Sequence, residues 1–114
     1  MKISGMIGKN GENTAADYLV RNGYKILERN YRTKVGEIDI IAFKKGVIVF
    51  VEVKTRSSGF YGQGFDAVDS NKRKKIIQTA GIYLSLNGGE KACRFDVVSI
   101  DDGVLNHIEN AFVL

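Results

Sequence analysis

Two acidic residues and a lysine lie close together in segment 36–56, GEIDIIAFKKGVIVFVEVKTR. Its two runs of apolar and β-branched residues indicate a β-hairpin, and a turn at residues 45–46 would set Asp39 opposite Glu52. Directly opposed residues of an antiparallel pair point to the same side of the sheet. Two carboxylates held side by side repel each other and lose hydration, so they require a cation, a proton or an organised hydrogen-bond network.

The same register sets Glu37 opposite Lys54, and this pair alone would suit an ordinary ladder of surface ion pairs. Such a ladder does not explain Asp39 opposite Glu52, because like charges in direct opposition destabilise a sheet. A slip of one residue would move the two carboxylates to opposite faces. The register of the hairpin is therefore the assumption on which the site depends.

This register also divides the hairpin into two faces, and we expect both to be covered. One face is apolar and holds Ile38, Ile40, Ala42, Val47, Val49, Val51 and Val53. The other face holds Ile41, Phe43, Ile48 and Phe50 near the turn, and Glu37, Asp39, Glu52 and Lys54 at the open end.

Oxygen ligands of this kind suit hard cations such as Mg²⁺ or Mn²⁺. A bound divalent ion lowers the pKa of a coordinated water and stabilises charge on a phosphoryl oxygen. Lys54 lies two residues after Glu52 and on the same face, where it could orient or deprotonate that water. The chain has no glycine-rich phosphate loop, and its only histidine, His107, has no nucleophile pattern near it. The residues therefore favour phosphodiester hydrolysis over other chemistry.

The length of 114 residues predicts a single domain, residues 1–114. The formal net charge of the chain is +4. A basic run, Lys72-Arg73-Lys74-Lys75, carries much of the positive charge, and Arg56 lies nearby in the sequence. Basic excess of this kind favours a polyanionic partner, although it can also serve solubility alone. The single cysteine excludes an internal disulfide and a cysteine-based zinc cluster. We expect a cytoplasmic protein without a membrane partner, since the sequence shows neither a signal pattern nor a membrane-span pattern.

The helices are expected at residues 10–22 and from about 70 to 86. In the first, Glu12 stands at the head of the apolar stripe of Ala15, Ala16, Leu19 and Val20, and Gly23 is a suitable C-terminal cap. An inward Glu12 could join a site, although an acidic residue near a helix N-terminus also has a simple dipole explanation.

Ser70 or Asp69 can cap the second helix, whose stripe contains Ile76, Ile77, Ala80, Tyr83 and Leu84. Its first turns hold the basic run, which opposes the helix dipole and so suggests phosphate contact rather than only a solvated face. Lys72 lies four residues before Ile76 and thus near the buried stripe. The serine- and glycine-rich loop 57–64 before this helix could close over a ligand or simply connect two elements.

The remaining strands are expected at residues 24–31, 93–101 and 104–108. Tyr24, Ile26 and Glu28 should share one side of the first, and Asp102 with Gly103 should form the turn between the last two. The apolar tail 110–114 should pack back on the domain. The order of elements indicates an α/β fold, one mixed sheet of about five strands flanked by two helices.

The set of motifs resembles the YraN-like family of predicted bacterial endonucleases over nearly the whole chain. The matching segments are GKNGENTAADYL, NYRTKVGEIDIIA, VIVFVEVKTR, helix 72–84 and RFDVV. Within them, Asp39 followed by Glu52-Val53-Lys54 is similar to the Asp…(Glu/Asp)-x-Lys core of the restriction-endonuclease-like superfamily. The family is similar in turn to archaeal Holliday junction resolvases.

The resemblance implies a role for each residue of the core. Asp39, Glu52 and the Val53 carbonyl would bind Mg²⁺ or Mn²⁺, and Lys54 would act on the attacking water. Glu12 matches a helix-borne glutamate that would complete the metal shell directly or through water.

The resemblance also marks positions around the core. Glu37 and Lys72 fall at motif positions. From the distribution of basic charge, the residues expected to bind nucleic acid are Arg56, Lys72, Arg73 and Lys75. The function expected is metal-dependent endonucleolytic cleavage of DNA, including branched or junction structures. The alternative is a nucleic-acid-binding module that keeps the nuclease fold without turnover. Symmetric cleavage of two strands would favour a homodimer.

Overall fold

The fold consists of a five-stranded sheet with a helix on each side. The structure, a computed structural model, describes residues 7–56, 70–89 and 91–112, with side chains from residue 11 onward. In chain order the elements are α1 (Ile7–Arg21), β1 (Lys25–Arg32), β2 (Glu37–Lys44), β3 (Val47–Arg56), α2 (Ser70–Leu86), β4 (Cys93–Asp101) and β5 (Val104–Phe112). The prediction of a mixed sheet of about five strands flanked by helices is confirmed, and the arrangement is compatible with a restriction-endonuclease-like fold.

The strands follow the order β1-β2-β3-β4-β5, and all neighbours are antiparallel except β3 and β4. Parallel neighbours need a crossover connection, which contains α2. The predicted loop 57–64 lies in the same connection but outside the described residues. None of the helices within the described ranges has the length and apolar character that a membrane crossing needs.

Both faces of the sheet are buried, as the hairpin pattern predicts. The α2 side is packed by Ile38, Ile41, Ile48, Phe50, Ile76, Ala80, Tyr83, Phe95, Val97 and Phe112. The α1 side is packed by Ala15, Ala16, Leu19, Tyr24, Ile40, Ala42, Val49, Val51, Val98 and Ile100.

Helix α1 begins three residues before the predicted start and ends as expected. Gly23 adopts the left-handed φ of 90°, and its N–H donates to the Val20 carbonyl at 3.1 Å, which confirms the cap. Leu19 is fully buried, whereas Val20 is 56% exposed. The inclusion of Val20 in the apolar stripe was wrong, because one residue turns a helix by about 100° and carries Val20 away from the sheet.

Helix α2 has the predicted bounds and the predicted apolar stripe. Ile76, Ala80 and Tyr83 are buried. Thr79 is buried as well, a position that the apolar pattern does not mark. Its hydroxyl donates to the Lys75 carbonyl at 2.8 Å, so the polar atom is satisfied inside the helix.

A bulge in β1 changes which side chains share a face. The pairing with β2 shifts between Ile26 and Glu28, so one residue is inserted there. Tyr24 and Ile26 pack on the α1 side as predicted. Glu28 is exposed, and its charge acts on Tyr83, on the α2 side. The placement of Glu28 beside Tyr24 was therefore wrong, because the bulge reverses the alternation.

A second irregularity crosses β1 and β2 beside Asp39. Asn30, which the register sets next to Asp39, has a left-handed φ of 52°. Ile40 packs on the α1 side, whereas Ile38 packs on the α2 side with Tyr31. The prediction that Ile38 and Ile40 share a face was wrong, because the backbone does not keep a period of two through Asp39.

Strands β4 and β5 form the predicted hairpin. Asp102 and Gly103 have left-handed φ values of 50° and 83°, as a two-residue turn requires. Strand β5 continues to Phe112 rather than ending near residue 108, with a bulge opposite the stretch between Phe95 and Val97. Phe112 stacks on Phe95 with ring centroids 5.0 Å apart, so the end of the described chain packs on the core.

Candidate active site

The β2–β3 hairpin has the predicted register as far as Ile40 opposite Val51. Beyond that pair the backbone ladder ends, and the Asp39 side chain replaces it. The Val53 N–H donates to Oδ2 of Asp39 at 2.8 Å. Because a strand N–H needs an acceptor, this bond holds the Asp39 carboxylate against β3 beside Glu52.

The predicted cross-strand pair of Glu37 and Lys54 is not formed. Glu37 instead lies opposite Arg32 of β1, and its Oε2 is 3.3 Å from Arg32 Nε. Because the β2–β3 ladder ends at Ile40, the first residues of β2 pair with β1 and not with β3. Glu37 therefore lies at the edge of the candidate site rather than within it.

Glu52 is the most deeply buried acidic group of the site, with 6% of its surface exposed. Its Oε2 lies 2.5 Å from the Lys72 ammonium nitrogen, which α2 supplies from its first turn. The sequence placed Lys72 near the buried stripe, and the structure brings it to the carboxylate itself. A buried carboxylate is stable when a cation compensates it, and here that cation belongs to the protein.

The Asp39 carboxyl group is difficult to ionise because it is partly buried next to a second carboxylate. Burial, and then the neighbouring charge of Glu52, raise the pKa of Asp39 from 3.8 to about 7. The hydrogen bond from Val53 opposes this rise, and the charge of Glu12 adds to it. A site that favours the neutral form of a carboxylic acid has room for further positive charge.

The two lysines of the site differ in their proton affinity. Burial, and then the positive charge of Lys72, lower the pKa of Lys54, although Glu52 acts in the opposite direction. Burial also disfavours the charge on Lys72, but the hydrogen bond to Glu52 and the charges of Glu52 and Asp39 outweigh it and raise the pKa of Lys72. Lys54 is thus the more readily deprotonated of the two.

Helix α1 brings Glu12 to the edge of the site. The Glu12 side chain is 24% exposed, and its Oε1 lies 3.9 Å from Arg29 Nη2 on β1. The preceding residue, Gly11, makes the approach of α1 possible, because a Cβ there would lie 2.1 Å from Oγ1 of Thr55 on β3. Glu12 acts on Asp39 through its charge and faces the site as the sequence predicts.

The donor set fits a hard divalent cation with few protein ligands. Asp39 and Glu52 offer carboxylate oxygens, the Val53 carbonyl follows directly in the chain, and Glu12 lies at the periphery. Within residues 7–56, 70–89 and 91–112, no group of three or more His, Cys, Asp or Glu side chains is close enough to hold a metal ion together. Mg²⁺ is commonly held by one or two carboxylates and several waters, so two converging carboxylates suffice.

The residues expected to bind nucleic acid fall into two groups. Lys72 and Arg56 are paired with acidic residues, Arg56 with Asp101 at 3.5 Å, and only 11% of the Arg56 side chain is exposed. Arg73 and Lys75 are exposed on α2. Arg73 and Lys75 are accessible to the phosphates of a DNA strand, whereas the orientation of Lys72 and Arg56 is fixed by their acidic partners, Glu52 and Asp101.

Comparison with known proteins places this arrangement in a family. The family described as "Uncharacterised protein family UPF0102" matches residues 11–100. The chain belongs to the UPF0102 family. The matched range includes α1 from Gly11, the whole β2–β3 hairpin and all of α2.

Relatives in the UPF0102 family are similar along their whole length. A UPF0102 protein of Persephonella marina is 48% identical over 110 residues, 94% of this chain and 93% of the relative. One of Geobacter metallireducens is 49% identical over 113 residues, 95% of this chain and 93% of the relative. One of Thermodesulfovibrio yellowstonii is 48% identical over 106 residues, 93% and 95% of the two chains. At this identity and coverage, the chain and these UPF0102 relatives share one fold.

A second polar cluster lies on the α1 side and was missed from the sequence. Asp96 is fully buried and accepts hydrogen bonds from Arg94 Nε at 2.9 Å and from the Asn110 N–H at 2.9 Å. His107 Nε2 lies 2.7 Å from Asp96, and Tyr18 binds the other ring nitrogen at 2.9 Å. Both ring nitrogens of His107 therefore have hydrogen-bond partners. The cluster joins α1, β4 and β5 through hydrogen bonds. In the sequence its signal is Asp96, an acidic residue next to the apolar residues of β4.

Proposed function

We propose that this UPF0102 protein is a metal-dependent endonuclease that hydrolyses DNA phosphodiester bonds. The proposal includes its placement in the restriction-endonuclease-like superfamily. The convergence of Asp39 and Glu52, with Lys54 on the same strand, is the observation that carries it. The raised pKa of Asp39, which follows first from burial and then from the charge of Glu52, supports it, because a bound cation would stabilise the ionised carboxylate against both effects.

Each residue of the site has a role in this reaction. Asp39, Glu52 and the Val53 carbonyl would hold Mg²⁺ or Mn²⁺, with Glu12 completing the shell through water. The bound ion supplies a water of lowered pKa and stabilises charge on the phosphoryl oxygen. Lys54 orients or deprotonates the attacking water, a role that its lowered pKa suits.

The surface around the site suits a polyanionic strand. Arg73 and Lys75 project from the first turns of α2, where backbone N–H groups also favour phosphate. Lys72 lies between these residues and Glu52. A phosphate that approaches the two carboxylates can therefore be compensated from α2, which lowers the repulsion between substrate and site.

Cleavage by protein purified free of metal tests the proposal. Linear, flapped and four-way DNA are incubated with and without Mg²⁺ or Mn²⁺. We expect metal-dependent cleavage by the wild type, none by Asp39→Ala or Glu52→Ala, and wild-type rates for Asp17→Ala, an exposed acidic residue of α1. Wild-type cleavage no greater than that of Asp39→Ala would overturn the proposal.

The ion pair between Lys72 and Glu52 favours a second candidate, a nucleic-acid-binding module without turnover. In that protein Lys72 would compensate the carboxylate permanently, and no divalent ion would bind. It predicts DNA binding that is indifferent to Mg²⁺. A Mn²⁺ titration followed by electron paramagnetic resonance separates the two candidates, because only the nuclease binds the ion in a manner that Asp39→Ala abolishes.

A further inference from the structure

A cleft of about 330 Å³ opens beside the candidate site, on the α2 side of β3, β4 and β5. We propose that it binds one unpaired nucleotide of the DNA strand, next to the cleaved phosphate. Its lining residues are Lys54, Arg56, Val97, Ser99, Asp101, Asn106 and Ile108. The proposal rests on the proposed function, because the phosphate is placed at Glu52 and Lys54.

The parallel register of β3 and β4 makes the cleft continuous with the site. Glu52 lies beside Val97, and Arg56 lies beside Asp101, four residues further along. At ~3.3 Å per residue the Arg56 level is about 13 Å from the Glu52 level. The cleft begins at Lys54, two residues from Glu52, so a sugar and base attached to a phosphate at Glu52 can extend into it.

The chemistry of the lining suits a nucleotide better than an isolated phosphate. Val97 and Ile108 are apolar, and Ile108 is 45% exposed, so a sugar or base face would cover it. The Arg56 guanidinium is already paired with the Asp101 carboxylate, whose charge repels a second anion. The cleft therefore favours a ligand with apolar faces and neutral polar edges.

Asp101 offers the polar contact that a base edge would use. Its Oδ2 accepts a hydrogen bond from the Ser99 hydroxyl at 2.9 Å. Its Oδ1 is buried beside Arg56 Nη1, 3.5 Å away, so a donor in the cleft would reach Oδ2, through the 21% of the Asp101 side chain that is exposed. Bases present ring N–H and amino donors along their edges, and a carboxylate accepts from them. Asn106, exposed on β5, can add a donor and an acceptor at the mouth of the cleft.

Base pairing decides which DNA can use this cleft. In a continuous duplex the edges of each base are paired and its faces are stacked, so a base reaches a protein cleft only after it leaves the helix. A flap, a gap or a single strand offers such a base without that cost. The cleft thus predicts a preference for unpaired DNA that arises from Asp101 and Asn106 rather than from the basic residues.

Binding measured by fluorescence anisotropy in EDTA tests the proposal. The probes are a labelled single strand and a blunt duplex of the same length. Asn106→Ala and Asp101→Asn should each lower the single-strand affinity about fivefold to tenfold relative to the duplex affinity, because the charge that Asp101→Asn removes acts on both probes alike. In Asn106→Ala, which changes no charge, the duplex affinity should stay within about twofold. Gln78→Ala, which removes an exposed amide from α2, is the matched control and should change neither affinity.

If Asn106→Ala lowered the affinities for both probes equally, or left the single-strand affinity unchanged, the proposal that the cleft binds an unpaired nucleotide would be wrong. Asn106 is exposed, so its variant keeps the test valid even if Asp101→Asn fails to fold. Because no metal is present, binding reports on the cleft independently of cleavage. If the predicted binding differences were found but no DNA were cleaved, the proposed nuclease function would be wrong and the proposed nucleotide binding in the cleft would stand.

Discussion

The ammonium nitrogen of Lys72 lies 2.5 Å from Oε2 of Glu52, so a lysine from α2 contacts the most buried carboxylate of the site. A divalent ion that binds Glu52 must share this carboxylate with Lys72 or displace it. The competition can be measured, because a substitution of Lys72 removes its positive charge from Glu52. Lys74, on the same helix, carries the same charge and is exposed.

We expect Lys72→Met to bind Mn²⁺ about tenfold more tightly than the wild type in the absence of DNA. The repulsion between two unit charges ~4 Å apart is about 1 kcal/mol in water and about 4 kcal/mol near a protein surface, so a tenfold effect is a conservative expectation. Lys74→Met is the control and should leave the affinity within about twofold. Isothermal titration calorimetry measures both, and equal affinities for the two variants would show that Lys72 does not compete for the metal position.

Asp39→Asn should stabilise the protein in EDTA at pH 8 by about 1–3 kcal/mol. The folded state raises the pKa of Asp39 from 3.8 to about 7, so it binds the proton more tightly than the unfolded chain does. Stability is therefore lost as the pH rises from about 4 to 7, and the full penalty is present above 7. Asparagine removes the charge and still accepts from the Val53 N–H.

Urea unfolding at pH 4 and at pH 8 checks this expectation. The gain from Asp39→Asn should be large at pH 8 and small at pH 4, whereas Asp17→Asn on the exposed face of α1 should show no such difference. If Asp39→Asn were less stable than the wild type at pH 8, the ionised Asp39 carboxylate would not destabilise the folded protein.

Gly11→Ala should destabilise the protein by about 1–3 kcal/mol, because the new Cβ would lie 2.1 Å from Thr55 Oγ1. Gly81→Ala on α2 is the matched control, since no atom lies within 4 Å of its added Cβ, and it should be neutral or stabilising. Thermal unfolding followed by circular dichroism measures both. The pair Gly11→Ala with Thr55→Ala should recover part of the loss, and no recovery would exclude this contact as the cause.

Asp96→Asn should cost about 1–3 kcal/mol at pH 7, because it removes the buried carboxylate to which Arg94, His107 and the Asn110 N–H are hydrogen-bonded. Burial opposes the charge of Asp96, but hydrogen bonds from His107, Arg94 and Asn110 outweigh it and lower the pKa of Asp96. Its contribution is thus complete above the ordinary aspartate pKa and is lost as the pH falls through the lower, folded value.

Urea unfolding at pH 7 and at pH 3 measures the contribution of Asp96. The difference between the wild type and Asp96→Asn should shrink toward pH 3. A difference that stays constant with pH would mean that the Asp96 charge does not contribute to stability.

The elements that depend on a local residue pattern could be predicted from the sequence alone. The turn residues Lys45 and Gly46 fixed the hairpin register, and the period of α2 fixed its buried face. The prediction failed where the backbone leaves its regular period, at the β1 bulge before Glu28 and at Asp39. No side-chain pattern records such irregularities, because they depend on the pairing of two strands.

The candidate site was predictable to a similar degree. Asp39, Glu52 and Lys54 come together because they share one hairpin, and Glu12 follows from the inward stripe of α1. The contact of Lys72 with Glu52 needs the packing of α2 on the sheet, and the pairing of Asp101 with Arg56 needs the parallel register of β3 and β4. Both relationships join residues that are distant in sequence, which is why the chain alone does not reveal them.

Single-turnover cleavage of one flapped DNA by the wild type and by Glu52→Gln tests the central claim most directly. Glutamine keeps the size of Glu52 and removes the charge that would hold the ion. We predict Mg²⁺-dependent cleavage by the wild type and a rate at least about a hundredfold lower for Glu52→Gln, the scale expected when a metal ligand is lost. Equal rates for the two proteins, or a rate indifferent to EDTA, would contradict the account.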